Sequence, residues 1–173
     1  MKLISKEHNQ KTDNKSNLDL LAHGGAHGKY VYFIGIGGAG MSAIAKILIN
    51  EGYIVSGSDM ESSPVTYELG ELGVRINTKQ DGECLDPDTN LVITSAAINE
   101  NNPDLRKARS LGLKVVKYSE FLGVLMRTKY GIAISGTHGK TTTTAMISTI
   151  LQKTGHEPTF VIVKVTSAVS VSL

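Results

Sequence analysis

Residues 30–59 read YVYFIGIGGAGMSAIAKILINEGYIVSGSD, and the order of residue types in this stretch decides the fold. Tyr30–Ile34 is a continuous apolar run of strand length, the pattern of a strand buried on both faces. Gly35, Gly37 and Gly40 follow at once, in G-x-G-x-x-G spacing. Met41, Ile44, Ala45 and Leu48 then recur at i, i+3, i+4 and i+7, one stripe of a helix. Gly52 stands where such a helix needs a left-handed stop. Tyr53–Ser56 reads as a second strand, closing on Gly57-Ser58-Asp59. Strand, glycine turn, helix, strand and acid make one nucleotide-binding unit of the doubly wound type.

Each part of that unit has a mechanical role. The first glycine permits the tight turn, the second lets backbone approach a pyrophosphate, and the third allows close helix packing. The helix start then offers unpaired N–H groups and the positive end of its dipole to an anion. Asp59 stands 19 residues past Gly40, near the place where an acid meets a ribose hydroxyl. The competing reading is a glycine turn used only for packing.

Working outward, the alternation continues. Ser62 or Ser63 caps a helix opening at Pro64, with Val65, Leu69 and Leu72 on one face and Gly73 at its end. Arg75–Asn77 and Leu91–Thr94 are strands, joined by a polar loop that contains Cys84. Pro103 opens a helix running through Leu105, Ala108 and Leu111 to Gly112. Lys114–Lys117 is a strand, and Ser119 caps a helix carrying Phe121, Leu122, Leu125 and Met126. Repeated βα alternation with short connections predicts an α/β fold, a Rossmann-like doubly wound parallel sheet over residues 29–128. Residues 1–28 are polar, hold His8, His23 and His27, and read as a disordered arm in which only Leu18, Leu20 and Leu21 could form a helical turn.

A second unit, residues 129–173, opens with a strand at Gly131–Ser135, a glycine turn at Gly136–Lys140 and a helix at Thr141–Lys153. Ala145, Met146, Ile150 and Leu151 form the expected buried stripe. Gly155 stops the helix and Val161–Val163 begins a further strand. The turn Gly136-Thr137-His138-Gly139-Lys140-Thr141-Thr142 is a shortened P-loop, because Ile134 stands where G-x-x-x-x-G-K-[ST] has its first glycine. Its N–H groups at Gly139, Lys140 and Thr141 suit phosphate oxygens, Lys140 supplies a cation to the β- and γ-phosphates, and the Thr141 hydroxyl suits Mg²⁺. His138 is either a polar contact or a plain loop residue. The remainder, VKVTSAVSVSL, is a low-variety Val/Ser tail, and the unit is expected to be an unfinished domain with an exposed apolar face.

Composition narrows the partners. A net charge of +2 gives no footprint for nucleic acid or an anionic membrane. A lone cysteine, Cys84, builds neither a disulfide framework nor a Cys-based metal site, so a reducing, cytoplasmic setting is expected. No apolar run is long enough to span a bilayer.

Taken in order, a dinucleotide-type glycine turn followed about 100 residues later by a shortened P-loop resembles the Mur ligases of peptidoglycan synthesis. Gly-Ile-Gly-Gly-Ala-Gly-Met at 35–41, Gly57-Ser58-Asp59, Thr94-Ser95-Ala96-Ala97-Ile98 with Asn102-Pro103, and Gly136–Thr144 carry the resemblance, over about residues 29–162. The histidine in the P-loop is similar to the branch that adds L-alanine to UDP-N-acetylmuramate, and to the related tripeptide-recycling branch. The resemblance implies a first domain that binds the UDP part of UDP-N-acetylmuramate through Gly35, Gly37, Gly38, Ala39, Gly40, Met41 and Asp59, with the backbone of Gly37–Met41 on the pyrophosphate, and a start of the central domain that binds ATP and Mg²⁺. It implies an acyl-phosphate route, with Lys140 and Thr141 in catalytic roles and Thr141 on the metal. The chain departs from the family after Phe160-Val161-Ile162, where a glycine-rich continuation is expected and Val163-Lys164-Val165-Thr166 stands. Residues from about 163 are therefore expected to be out of frame or unrelated, and the chain to be a truncated, inactive piece. An NAD(P)-dependent oxidoreductase and a non-catalytic UDP-nucleotide module are the alternatives.

Overall fold

The computed structural model describes residues 28–128, 130–161 and 169–172. The arm histidines, the leucines at 18, 20 and 21, Lys129 and residues 162–168 lie outside the described residues.

Five strands, β1 (Tyr30–Ile34), β2 (Ile54–Ser58), β3 (Arg75–Asn77), β4 (Leu91–Thr94) and β5 (Val115–Lys117), form one sheet in the order β3-β2-β1-β4-β5. Every neighbouring pair is parallel. Helices α1 (Ala39–Asn50), α2 (Pro64–Glu71) and α3 (Pro103–Ser110) make three of the crossovers, the 78–90 connection makes the one from β3 to β4, and helix α4 (Tyr118–Arg127) follows β5. This is the doubly wound sheet that the βα alternation predicted. Its strand order reverses between β1 and β4, where ligands of such sheets bind.

Alternation along β1 explains why its sequence is apolar without a break. Val31 and Phe33 join the core on one face with Ile44, Leu48, Leu69, Phe121 and Leu125, while Tyr32 and Ile34 join Val92, Leu105 and Ala108 on the other. Full burial of each such large side chain contributes about 1.5–3 kcal/mol. The stripe Met41, Ile44, Ala45, Leu48 is buried as the helical spacing requires. Ser63 caps α2 by accepting the Thr66 N–H at 3.2 Å, and Asn102 caps α3 by accepting that of Leu105 at 3.2 Å. Gly52, Gly73, Gly112 and Gly155 all take positive φ behind helices, as the stop signals demand.

Several details differ from expectation, among them the fifth strand, which starts at Val115 rather than Lys114. The second strand begins at Ile54 rather than Tyr53 and reaches Ser58, so Gly57 and Ser58 are sheet residues. The cap of α4 is Lys117, not Ser119, and Tyr118 is its first helical residue. Leu72 is the C-cap of α2 and is exposed, because its position turns away as the helix ends. On the face that carries α3, no helix among the described residues covers β1–β3; the 78–90 connection lies there with a cleft of about 510 Å³ between Tyr32, Ser56, Arg75 and Cys84.

The later residues form a second sheet, β6 (Gly131–Ile134), β7 (Thr159–Val161) and β8 (Val169–Ser172), in the order β6-β8-β7. The strand expected at Val161–Val163 is β7 and starts earlier, at Thr159. Inside the Val/Ser tail, β8 pairs antiparallel with both neighbours. Helix α5 (Lys140–Lys153) packs on this sheet through the wrong stripe for the sequence reading. Thr144 and Ser148 are buried, whereas Ala145, Met146 and Ile150 are exposed and Leu151 is half-buried. The sheet-facing positions are 144, 147, 148 and 151, a helical spacing that happens to start on a polar residue.

Candidate functional site: two glycine loops

The glycine turn after β1 sits at the switch point between β1 and β4. Gly35 has φ +83°, a conformation that side-chain-bearing residues rarely adopt. The N–H groups of Gly35 and Ile36 both donate to the Ser58 carbonyl, at 2.8 and 3.0 Å, which ties the turn to the end of β2. The exit of β4 closes the other side. Ser95 N–H donates to the Ile34 carbonyl at 3.1 Å, and a Cβ placed on Gly35 would lie 3.3 Å from Ser95 Cβ. The Thr94–Ile98 motif thus lines the turn, beside a cleft of about 490 Å³ that also touches Lys117 and Glu120.

Helix α1 opens from this turn. Its N-cap, Gly38, supplies no side-chain bond. The N–H groups of Ala39, Gly40 and Met41 fall in the first turn, where no intrahelical acceptor exists, and they point with the helix dipole toward the loop. Gly38 N–H is bent back to the Gly35 carbonyl at 3.3 Å. Gly37 N–H donates to Asp59 Oδ2 at 2.7 Å, so Asp59 lies against the loop itself. The room that a second glycine leaves for backbone approach is taken here by side chains. A Cβ on Gly37 would lie 2.8 Å from Asp59 Oδ2 and 3.0 Å from Thr66 Cγ2. The third glycine serves close packing, against a helix and not a strand: a Cβ on Gly40 would lie 2.5 Å from Tyr118 Oη.

The supporting roles of three residues escaped the sequence reading. Ser58 joins the turn to a buried carboxylate, donating its hydroxyl to Asp104 Oδ2. Asp104 is fully buried in the first turn of α3 and also accepts from Tyr32 Oη at 3.2 Å and from Gly82 N–H at 2.7 Å. Burial is the main reason the Tyr32 phenol titrates far above its ordinary range. The one signal for this network was the acid directly after Asn102-Pro103. Tyr118 is the third, its Oη buried without a partner and its pKa pushed up to about 12 by burial.

The second loop joins β6 to α5. Gly139 is the N-cap of α5 at φ +78°, and it turns the chain so that Lys140 starts the helix. Lys140 Nζ donates to the carbonyls of Gly136, at 2.5 Å, and Thr137, at 3.3 Å, so the ammonium is folded over its own loop. Thr137, His138, Thr141 and Thr142 are exposed around it. The first-turn hydroxyl of Thr141 is therefore open to solvent. Among the described residues no group of three or more His, Cys, Asp or Glu could hold a metal, and no helix is long and apolar enough to cross a membrane.

The chain is similar to known proteins over most of its length. The chain is 46% identical over 134 residues to the UDP-N-acetylmuramate–L-alanine ligase of Persephonella marina, covering 78% of the chain and 29% of that relative. A solved UDP-N-acetylmuramate–alanine ligase from Thermotoga maritima matches with TM-score 0.69 and 32% identity, over 73% of this chain and 30% of that one. A murein peptide ligase from Psychrobacter arcticus matches with TM-score 0.69 and 31% identity, over 74% and 27%. The chain thus spans under a third of the length of these relatives. Residues 30–130 match the Mur ligase family, catalytic domain, and the chain belongs to the Mur ligase family.

Proposed function

We propose that this chain provides the nucleotide-sugar site and the ATP loop for joining L-alanine to the carboxylate of UDP-N-acetylmuramate. The observation that carries the reading is the pair of loops. One glycine turn at a switch point presents the N–H groups of Ala39–Met41, and Lys140 stands at the start of a helix later in the same chain. The identity to alanine-adding relatives supports the choice of substrates.

In the proposed chemistry, the muramyl carboxylate attacks the γ-phosphorus of ATP and ADP leaves. The amine of L-alanine then attacks the acyl carbon, phosphate leaves, and an amide remains. The N–H groups of Ala39, Gly40 and Met41 hold the pyrophosphate of the UDP sugar, with Asp59 on its nucleoside side. Lys140 swings from the Gly136 and Thr137 carbonyls to the transferring phosphate, where positioned charge is the main requirement. Gly136–Thr142 enclose the phosphates, with His138 at the rim. An exposed Thr141 hydroxyl beside a lysine, without a carboxylate cage, fits Mg²⁺ that arrives bound to ATP; Mg²⁺ would supply charge neutralisation there. Residues 29–128 are proposed as the UDP-binding domain and 129–173 as the start of the ATP-binding one. Dependence on ATP fits a cytoplasmic setting. The 173 residues alone are proposed to bind nucleotides without completing the ligation.

A second reading is kept because the murein peptide ligase matches as well in structure as the alanine ligase does. It differs only in the amine substrate. Membership of the Mur ligases sets aside the oxidoreductase alternative.

Titration of Mg-ATP into the wild-type chain and Lys140→Ala tests the assignment. Loss of one charge-assisted bond, about 1.5–3 kcal/mol, predicts at least roughly tenfold weaker binding in the variant. Equal affinities would remove Lys140 from the site.

A further inference from the structure

The first loop contains its own anion. Asp59 Oδ2 accepts the Gly37 N–H at 2.7 Å, and Oδ1 of the same carboxylate accepts the Glu61 N–H at 3.0 Å. The acid is thereby clamped by backbone on both oxygens, with its own N–H held by the Asn77 carbonyl at 2.9 Å. It makes no ion pair among the described residues, so its charge is not neutralised by a neighbouring cation.

This changes what the loop offers to a phosphate. Gly35 and Ile36 spend their N–H groups on Ser58, Gly38 on Gly35, and Gly37 on Asp59. What remains is the first turn of α1, at Ala39, Gly40 and Met41, with a fixed carboxylate held on Gly37, two residues ahead of that turn. A phosphate group seated there lies next to a like charge, and the repulsion grows with the charge the group carries. A pyrophosphate esterified at both ends carries fewer charges than inorganic pyrophosphate. Its nucleoside end also brings hydroxyl donors in place of a charged oxygen.

We infer that Asp59 is a specificity-determining residue that bars free polyphosphate from the glycine loop and admits pyrophosphate only as a nucleoside diester. The inference rests on the proposed UDP-sugar site, and adds that the acid selects by repulsion as well as by contact.

Competition keeps the test on this loop and away from the Lys140 loop. Inorganic pyrophosphate is titrated against bound UDP-N-acetylmuramate, without divalent cation, in the wild-type chain, Asp59→Asn and Asp59→Ser. Asparagine keeps the shape and an acceptor while losing the charge, and serine keeps only a short acceptor. The expected result is weak displacement from the wild type and displacement at tenfold or more lower pyrophosphate concentration from both variants. Melting temperature and Mg-ATP affinity report whether each variant keeps its fold, and serine stands in if asparagine does not. An unchanged pyrophosphate constant, with only UDP-N-acetylmuramate binding weakened, would overturn the inference and leave Asp59 as a contact residue. Absence of UDP-N-acetylmuramate binding to the wild type would remove the site reading and the inference with it.

Discussion

Tyr118 shows how a single side chain can limit its neighbour. Its ring lies where a Cβ on Gly40 would go, at 2.5 Å from Oη and 2.6 Å from Cζ, and these are ring-held atoms that cannot swing aside cheaply. Gly40→Ala is expected to cost about 1–3 kcal/mol by overpacking, offset only in part by better helix propensity. Tyr118→Phe removes a buried hydroxyl that has no partner, so denaturation should show stability unchanged or raised by up to about 1 kcal/mol. The same substitution has a pH signature. The folded phenol has its pKa raised from 10.0 to about 12 by burial, so folding favours the protonated form. Its contribution is intact below pH 10 and is lost as pH rises through about 12. Urea midpoints measured across that window should fall less steeply in Tyr118→Phe than in the wild type; parallel curves would contradict the assignment.

At the level of elements, α1 and α5 contrast. In α1 the apolar stripe and the buried stripe coincide, because a complete sheet lies beneath it. In α5 they do not. Thr144 and Ser148 face the sheet while Met146 and Ile150 stay 62% and 61% exposed. A stripe found by periodicity says which residues could be buried together, not which face meets a partner. Ser148 Oγ is buried without a partner, so Ser148→Ala should raise stability by about 1 kcal/mol. Replacing Met146 and Ile150 together by lysine should leave the melting transition within about 0.5 kcal/mol of the wild type and reduce self-association seen by light scattering. A loss above about 2 kcal/mol would show that this face is covered in solution.

Across the whole molecule, the sheet was legible because its signals are local and agree with one another. Tyr30–Ile34 ran apolar, glycines stopped the helices, and Pro64 and Pro103 opened two of them. The position of the glycine turn at the switch point followed from strand order. What escaped depends on contacts between distant residues. Ser58 and Asp104 are 46 apart in sequence, and nothing in either neighbourhood announces that they bond. Asp59 was legible as an acid at the right distance, but not as the acceptor that occupies Gly37. Strand β8 lay in a Val/Ser stretch with no turn signal to set it off.

The central claim is that the first loop takes a UDP sugar. Calorimetric titration of UDP-N-acetylmuramate and, separately, NADH into the 173-residue chain tests it most directly. The account predicts saturable binding of UDP-N-acetylmuramate, displaced by UDP, and no binding of NADH. Saturable NADH binding without any for UDP-N-acetylmuramate would contradict it.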